Sequence, residues 1–430
     1  MRRCSPLAGL FLAGTFALAL SACAPRSSAE NHSPKTIRWW HINSDLPSQK
    51  VIDEIAKEFE ASHPWVTVKV VVLDNMEYKP KLKLELAAKD PPDIFHSWGG
   101  GNMAELAKQG YLRDISSWVQ GDRWKSRISP VALGLYSYDG KVFGFPQDLG
   151  MVGFWYNSEL LSKAGFSDFP TDWEGFLQMC ASLKNAGIAP VSLGLADRWT
   201  AMYYWAYFAL RLGGRGIFDD ILDGRRSFED PSLIGAGRLM QDFYGRALLQ
   251  RTAIGDDFMA QSRYMGDGKC AVQLMGQWAL ALQAQAAEQK GKLERYMRFA
   301  PFPSVKGGKG GPRDVMGGGN GFVIGKNAPD EAVELLEYWT RAENLQRYFD
   351  VFPAVPTVDA VKIANPALLQ VKTFLKDMSS YCLYPDQMFP QEINDLIDGT
   401  SARIMIGELS PERGCAIIDE AWKKAQTASP

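Results

Sequence analysis

Aromatic rings and hydrogen-bonding side chains recur together in this sequence at points where apolar runs end. Trp98 closes the apolar run of DIFHSWGGG (93–101) and is followed by Gly99, Gly100 and Gly101. A second run, TIRWWHI (36–42), ends similarly, in Trp40, His41, Asn43, Ser44 and Asp45. Gln147 and Asp148 interrupt FGFPQDLGMVGFWYN, with Trp155 and Tyr156 beyond them. Arg198, Trp199, Tyr203 and Tyr204 open ADRWTAMYYWAYF (196–208). Trp278 sits in GQWAL, Gly319 and Asn320 in GGGNG (317–321), and Gln387 nearer the C-terminus. The chemistry such a set can do is non-covalent recognition of a ring bearing hydroxyls. The C–H faces of the ring stack on indole or phenol, about 1 kcal/mol per contact by analogy with aromatic pairs. The hydroxyls pair with planar donors and acceptors, most strongly with charged ones. Asp148, a short acid in an otherwise apolar stretch, needs a partner. Glycines let backbone come close to a ligand and permit positive φ.

Covalent chemistry has less support. The four histidines, His32, His41, His63 and His96, all precede residue 97, and the sequence has neither HExxH nor the GxSxG nucleophile elbow. A glycoside hydrolase would need two carboxylates across a bond. With 49 acidic residues such a pair stays open. GGGNG precedes the strand-like FVIG rather than joining a strand to a helix, so a dinucleotide loop does not fit. It reads as backbone brought near a ligand. GGKGG (307–311) lacks the Lys-Ser/Thr ending of a phosphate loop. A formal net charge of -2 gives no footprint for nucleic acid. No metal or organic cofactor is indicated. Six cysteines are present, without a CxxC. Cys180, Cys270, Cys382 and Cys415 could form two disulfides, in any of three pairings, or remain as buried thiols.

The elements that must position these residues follow from periodicity. TIRWWHI predicts a strand, and 48–64 an amphipathic helix with Val51, Ile55 and Phe59 on one side. VTVKVVVL (66–73) predicts a strand, 78–93 a helix stopped by Pro-Pro, and 93–95 a short strand. Strand, helix, strand, helix, strand argues for an α/β lobe with a mainly parallel sheet, whose ligands lie beyond the carboxyl ends of the strands. Asp139-Gly140 predicts a hairpin turn. FGFPQDLGMVGFWYN predicts a long extended segment. Thr171 is the expected N-cap of the helix that follows it, and IAPVSLGL (188–195) a further strand.

The N-terminus reads as an export leader. Arg2 and Arg3 precede the apolar run 7–20, too short for a comfortable membrane span. LSAC (20–23) and the polar segment after it resemble a bacterial lipobox. That resemblance implies removal of residues 1–22, a diacylglycerol thioether on Cys23, and a lipidated tether over 23–35. Several acyl chains would hold the protein to a membrane far better than one.

Longer motifs carry a second resemblance. YDGK-x-FGFP (138–146), WYN-x-x-LL-x-KAGF (155–166), the segment from Pro170 to Pro190, GDGKCAVQLMGQWAL (266–280), the stretch 299–340 and FPAVPTV (352–358) occur in an order similar to that of the extracellular solute-binding proteins of bacterial ABC sugar importers, the maltodextrin-binding type. DIFHSWGGG looks like the pattern of a branch that binds plant-derived oligosaccharides, xylobiose among them. The resemblance implies a two-lobed α/β fold of the type II periplasmic binding-protein kind, with a cleft between lobes and a hinge of several strands. Expected crossings are 145–155, 299–305 and 352–357. The N-terminal lobe would take 36–146 and 303–353, and the C-terminal lobe 147–302 and 354–425. It further implies an oligosaccharide-binding monomer outside the cytoplasm that delivers its cargo to permease subunits. A tethered sugar sensor and a secreted glycoside hydrolase are the competing readings. Ligand contacts would come from His41, Asp45, Trp98, Gly99, Gly100, Gln147, Asp148, Tyr156, Trp199, Tyr203, Trp278, Gly319, Asn320 and Gln387.

Overall fold

Alternation along single strands decides how the first lobe is layered. In the computed structural model, which describes residues 33–119, 128–288 and 293–428, Lys35–His41 is a strand whose Ile37 and Trp39 face one way and Trp40 the other. Ile94 and Phe95, and Phe322 and Val323, divide the same way. One face buries Ile52, Ile55 and Phe59 of the helix Leu46–Ser62, and the other buries Tyr78 and Met103. Each side chain so buried contributes roughly 1.5–3 kcal/mol. The sheet has five strands in the order Val66–Val72, Lys35–His41, Ile94–Ser97, Gly321–Ile324, Gly144–Pro146. The first three run parallel, and Gly321–Ile324 is antiparallel to both of its neighbours. The Asp139-Gly140 hairpin forms, both residues having positive φ.

The second lobe is built on four strands in the order Met297–Ala300, Gly153–Asn157, Cys270–Met275, Ala189–Ser192. Cys270–Met275 is buried along its whole length, as a strand covered on both faces must be. The helix Trp199–Gly213 packs on Pro231–Gly245 and on Gln391–Met405. Its last turn carries Arg211, fully buried, which donates to the carbonyls of Phe302, Pro303 and Asp314. Asp172, rather than the expected Thr171, caps the helix Trp173–Asn185. Its carboxylate accepts from Gly175 N at 2.9 Å, while the Thr171 carbonyl accepts from Ser304.

The long extended segment resolves into three short strands, Gly144–Pro146, Gly150–Met151 and Gly153–Asn157. The first belongs to the first lobe's sheet and the last to the second lobe's, so the chain crosses over Gln147–Leu149. Two other segments flank this crossing. Gln147 N donates to Asn320 O at 2.8 Å, Leu149 N to Val355 O at 3.0 Å, and Thr357 N to Gln147 O at 3.0 Å. The return to the first sheet comes later than 299–305. Ser304 still bridges to Asp172, and Asp314–Gly318 pairs with Ser380–Leu383 and Gly150–Met151. The chain re-enters the first sheet only at Gly321.

Cys180, Cys270, Cys382 and Cys415 are all free and buried, so none of the three pairings is made. Among the described residues no helix is long and apolar enough to cross a membrane. The leader and Cys23 lie outside the described residues.

Candidate functional site

Asp148 stands at the middle of the hinge and binds to both flanks. Its Oδ1 accepts from Asn320 N at 2.9 Å, Asn320 Nδ2 at 3.2 Å and Gln277 Nε2 at 3.1 Å; Oδ2 accepts from Asn320 Nδ2 at 3.1 Å. Burial pushes its pKa up to about 7, against the pull of those bonds. The partner that Asp148 needs is thus protein. Gly319 serves the same junction, since a Cβ there would lie 2.2 Å from Asp148 O. Gly150 makes room for the Gln277 side chain in the same way.

Next to this junction four aromatic rings form a row along the second lobe. Trp278 meets Tyr384 edge-on at 6.1 Å, Tyr384 meets Tyr203 at 5.6 Å, and Tyr203 meets Trp199 at 5.5 Å. Trp199 opens its helix and Trp278 stands at the N-terminus of another, so both rings project from helix ends. Trp199 and Trp278 keep part of their surface exposed, while Tyr203 and Tyr384 are buried. Gly276 lets the Trp278 ring fold over it, because a Cβ there would lie 2.2 Å from the indole. Tyr384, on the strand-to-helix turn before Pro385–Met388, was not legible as a site residue. Only tertiary packing brings it into this row.

The first lobe contributes His41 at the end of its strand, fully buried, whose Nδ1 accepts from Asn43 N at 3.2 Å. Burial lowers its pKa to about 4, and that of His96 to about 3. Trp98 lies half-buried against His96 at 4.7 Å and Tyr78 at 5.9 Å, and the Lys79 ammonium lies 5.2 Å from its ring centroid. The glycines after it are taken up by the protein itself. A Cβ on Gly99 would meet Leu135 O at 2.6 Å, one on Gly100 would meet Leu383 Cδ2 at 2.0 Å, and one on Gly101 would meet Met388 O at 1.9 Å. A lobe-to-lobe contact therefore occupies the place expected for a glycine platform, reinforced by Asn102 Nδ2 donating to Gln391 Oε1 at 2.9 Å.

Other expected contacts lie apart. Asp45 caps the helix Leu46–Ser62, accepting from Ser48 N at 2.9 Å. Tyr156 packs on Phe169 at 5.0 Å, in the body of the second lobe. Tyr204 is buried against Phe243, and Trp155 donates to the carbonyls of Met275 and Gly276. Arg198 is exposed.

Around the aromatic row and hinge, sealed polar atoms have no partner within the protein: His41 Nε2, Gln147 Oε1, Trp199 Nε1, Gln277 Oε1, Tyr384 OH, Asp386 Oδ1 and Gln387 Oε1. Buried polar atoms are ordinarily paired, and each one left alone costs about 1–3 kcal/mol. This set is richer in acceptors than donors, and it lines a junction between two lobes where three segments of the chain run side by side. Among the described residues no group of His, Cys, Asp or Glu could hold a metal ion.

The model of one family, described as "Bacterial extracellular solute-binding protein", matches residues 43–346. The chain belongs to that family. As in other solute-binding proteins of the type II periplasmic fold, its two α/β lobes meet across a hinge. A "Probable sugar-binding periplasmic protein" of Brucella suis biovar 1 is 25% identical over 298 residues, 66% of this chain and 67% of that one. The "Multiple sugar-binding protein" of Streptococcus mutans is 21% identical over 413 residues, 92% of each chain. Among solved structures, a "Chitin oligosaccharide binding protein" superposes with a TM-score of 0.84 at 20% identity, covering 91% of this chain and 99% of its own. A structure from work on xylan utilization by the thermophilic bacterium Caldanaerobius polysaccharolyticus gives 0.83 at 23% identity, covering 90% and 99%.

Proposed function

We propose that this solute-binding protein captures an oligosaccharide in the cleft between its lobes and delivers it to an ABC permease outside the cytoplasm. The observation that carries the reading is the row Trp278–Tyr384–Tyr203–Trp199 set beside sealed, unpartnered acceptors. Rings supply faces for sugar C–H groups, and acceptors supply ends for sugar hydroxyls. The names of the relatives, sugar-binding and periplasmic, support the same class and location. The two partly exposed indoles, Trp199 and Trp278, stand at opposite ends of the row with two buried rings between them, a spread that favours a di- or longer saccharide such as xylobiose over a single hexose. The ligand drives closure through its higher affinity for the closed arrangement. Chemistry on the sugar is no part of the mechanism. Cys23 carries the lipid anchor, and the permease reads the closed form.

Calorimetric titration of the purified protein with xylobiose, xylotriose, cellobiose, maltotriose, trehalose, chitobiose and single hexoses tests this. A Kd near micromolar, roughly -8 kcal/mol, is expected with one linkage class and no product formed. Product formation would make the protein a hydrolase. Silence across the panel would remove sugar as the ligand.

A further inference from the structure

Two neighbouring strands of the first lobe carry a histidine each at the end that faces the hinge. Lys35–His41 and Ile94–Ser97 run parallel, with Trp39 beside Ile94 and Trp40 beside Phe95, so His41 comes beside His96 one residue further on. Strands so paired lie about 4.8 Å apart. His96 is in turn the register partner of Phe322. Ring contacts close the group: Trp39 meets His41 at 6.4 Å and Phe322 at 5.4 Å, and Phe322 meets His96 at 6.2 Å. Both histidines are sealed, at 0% and 2% exposure. Because His41 Nδ1 accepts from Asn43 N at 3.2 Å, the proton of its neutral ring is on Nε2, and that N–H has no partner among the described residues. His96 has a partner at neither ring nitrogen. Burial holds the two pKa values at about 4 and about 3, so both rings are neutral at pH 7. Asn43 Nδ2, two residues past His41, and Gln147 Oε1, just past the strand Gly144–Pro146 of the same sheet, are open in the same way. The Asn43 Oδ1 is already taken, by the Tyr348 hydroxyl at 3.2 Å.

We propose that His41 and His96 form a specificity subsite of the first lobe, one that holds a single sugar hydroxyl between the two imidazoles and rejects a sugar lacking it. This rests on the sugar reading above and adds which side chains choose the cargo, and by what feature. The two rings do not bond each other, since each would then have a partner at the shared nitrogen. A hydroxyl set between them accepts from His41 Nε2 and donates to the unprotonated nitrogen of His96, so one O–H completes both rings. Water can hold that place while the cleft is empty, and the hydroxyl displaces it as the sugar binds. The position suits a ligand, because the carboxyl ends of parallel strands are where α/β sheets hold theirs. A sugar without the hydroxyl leaves buried ring nitrogens unpaired, and a site built to bond a hydroxyl rejects the analogue lacking it by a large factor.

Calorimetry at pH 7 tests this with the sugar of the panel above that binds most tightly and with its monodeoxy forms, one hydroxyl removed at a time. For the wild type, removal of one particular hydroxyl is expected to weaken binding at least tenfold. In His96→Phe and in His41→Phe the intact sugar should bind at least tenfold more weakly. The penalty for removing that same hydroxyl should then fall below threefold, while the penalties for the others stay. Each phenyl ring replaces an unpaired buried group by an apolar one of similar shape, so the melting temperature of the empty variants should hold level or rise. His96→Leu and His41→Leu are read in the same way where a phenyl ring prevents folding. Variants that bind the intact sugar like wild type, or a set of deoxy penalties that neither histidine variant changes, would make both rings hydrated core residues. Either result would overturn the subsite and leave the sugar reading standing. Silence from every sugar would overturn both.

Discussion

Trp278 and Trp199 end the aromatic row with part of each indole exposed, whereas Tyr203 and Tyr384 are sealed between them. Truncating an end ring removes a stacking face without opening the core. Trp278→Ala and Trp199→Ala should each weaken the sugar that binds at least tenfold, about 1.4 kcal/mol, as read by calorimetry. Loss of affinity at neither position would place the ligand elsewhere. Asp148 makes a second prediction, with a sign. Its folded pKa is about 7, raised by burial from the usual carboxylate value of 3.8. The groups around it are Asn320, Gln277 and the neutral hydroxyls of Tyr136, Tyr348, Tyr381 and Tyr384. Between pH 4 and pH 7 the folded state binds the proton and the unfolded state does not, so this group's contribution to stability falls as pH rises. His41 and His96 act oppositely below pH 6.5, their folded pKa values being about 4 and about 3. Comparing wild type with Asp148→Asn cancels the histidines. The stability of wild type relative to the variant should decline by on the order of 1 kcal/mol or more from pH 5 to pH 7.5, measured by urea midpoints. A flat difference would mean that water reaches the carboxylate.

At the scale of elements, the helix Gly100–Lys108 is seated on the segment 383–391 of the other lobe through glycines. Gly101 has ordinary negative φ, so only space forbids a side chain there. Gly101→Ala would place a methyl 1.9 Å from Met388 O and push the lobes apart. The closed arrangement should weaken and sugar affinity fall at least tenfold, with helix content unchanged by circular dichroism. Gly134→Ala, where nothing lies within 4 Å of the new methyl, is the control and should bind like wild type. An unaffected Gly101→Ala would mean that this contact is not part of closure. The same stretch marks the limit of reading from sequence. The strands and the first helices follow from alternation and 3.6-residue periodicity, which are local. The use of Gly99–Gly101 is not local, because Leu383 and Met388 are nearly three hundred residues away in sequence. For the same reason Tyr384 escaped notice: it stands on the turn before a four-residue helix, which has no periodicity to mark its inner face. Trp199 was expected from its place at a helix start, Tyr203 from its stripe on the same helix and Trp278 from the Gly-x-Trp position of the resembled family, and the structure sets the three rings in one row. Asp148 was legible because an acid stands in an apolar strand, although its partners are the hinge's own amides. Asp45 and Tyr156 shared that polar or aromatic character, but capping and core packing use them.

For the molecule as a whole, the cysteines offer a count that reports fold and maturation together. Cys180, Cys270 and Cys415 are fully buried, Cys382 is 8% exposed, and none is paired. Burial raises the pKa of all four, so the reactive thiolate is scarce as well as shielded. Two lobes with cores of this size hold together without covalent ties, and reductant should leave the melting temperature unchanged. The sequence has six cysteines. If the leader is removed with Cys4 and Cys23 is blocked as a thioether, four thiols remain. Colorimetric thiol titration of protein taken from the membrane fraction should therefore read close to zero in native buffer and four in denaturant. A reading of two in denaturant would mean a disulfide that the fold does not contain. A reading of five would mean that the leader is cleaved but Cys23 is unmodified, and six that the leader is retained; either would overturn the lipid anchor. Adding the bound sugar should slow the appearance of those four thiols at intermediate urea. Ligand at 100 times its Kd stabilises the folded state by about 2.7 kcal/mol, and the thiols open only when the lobes unfold.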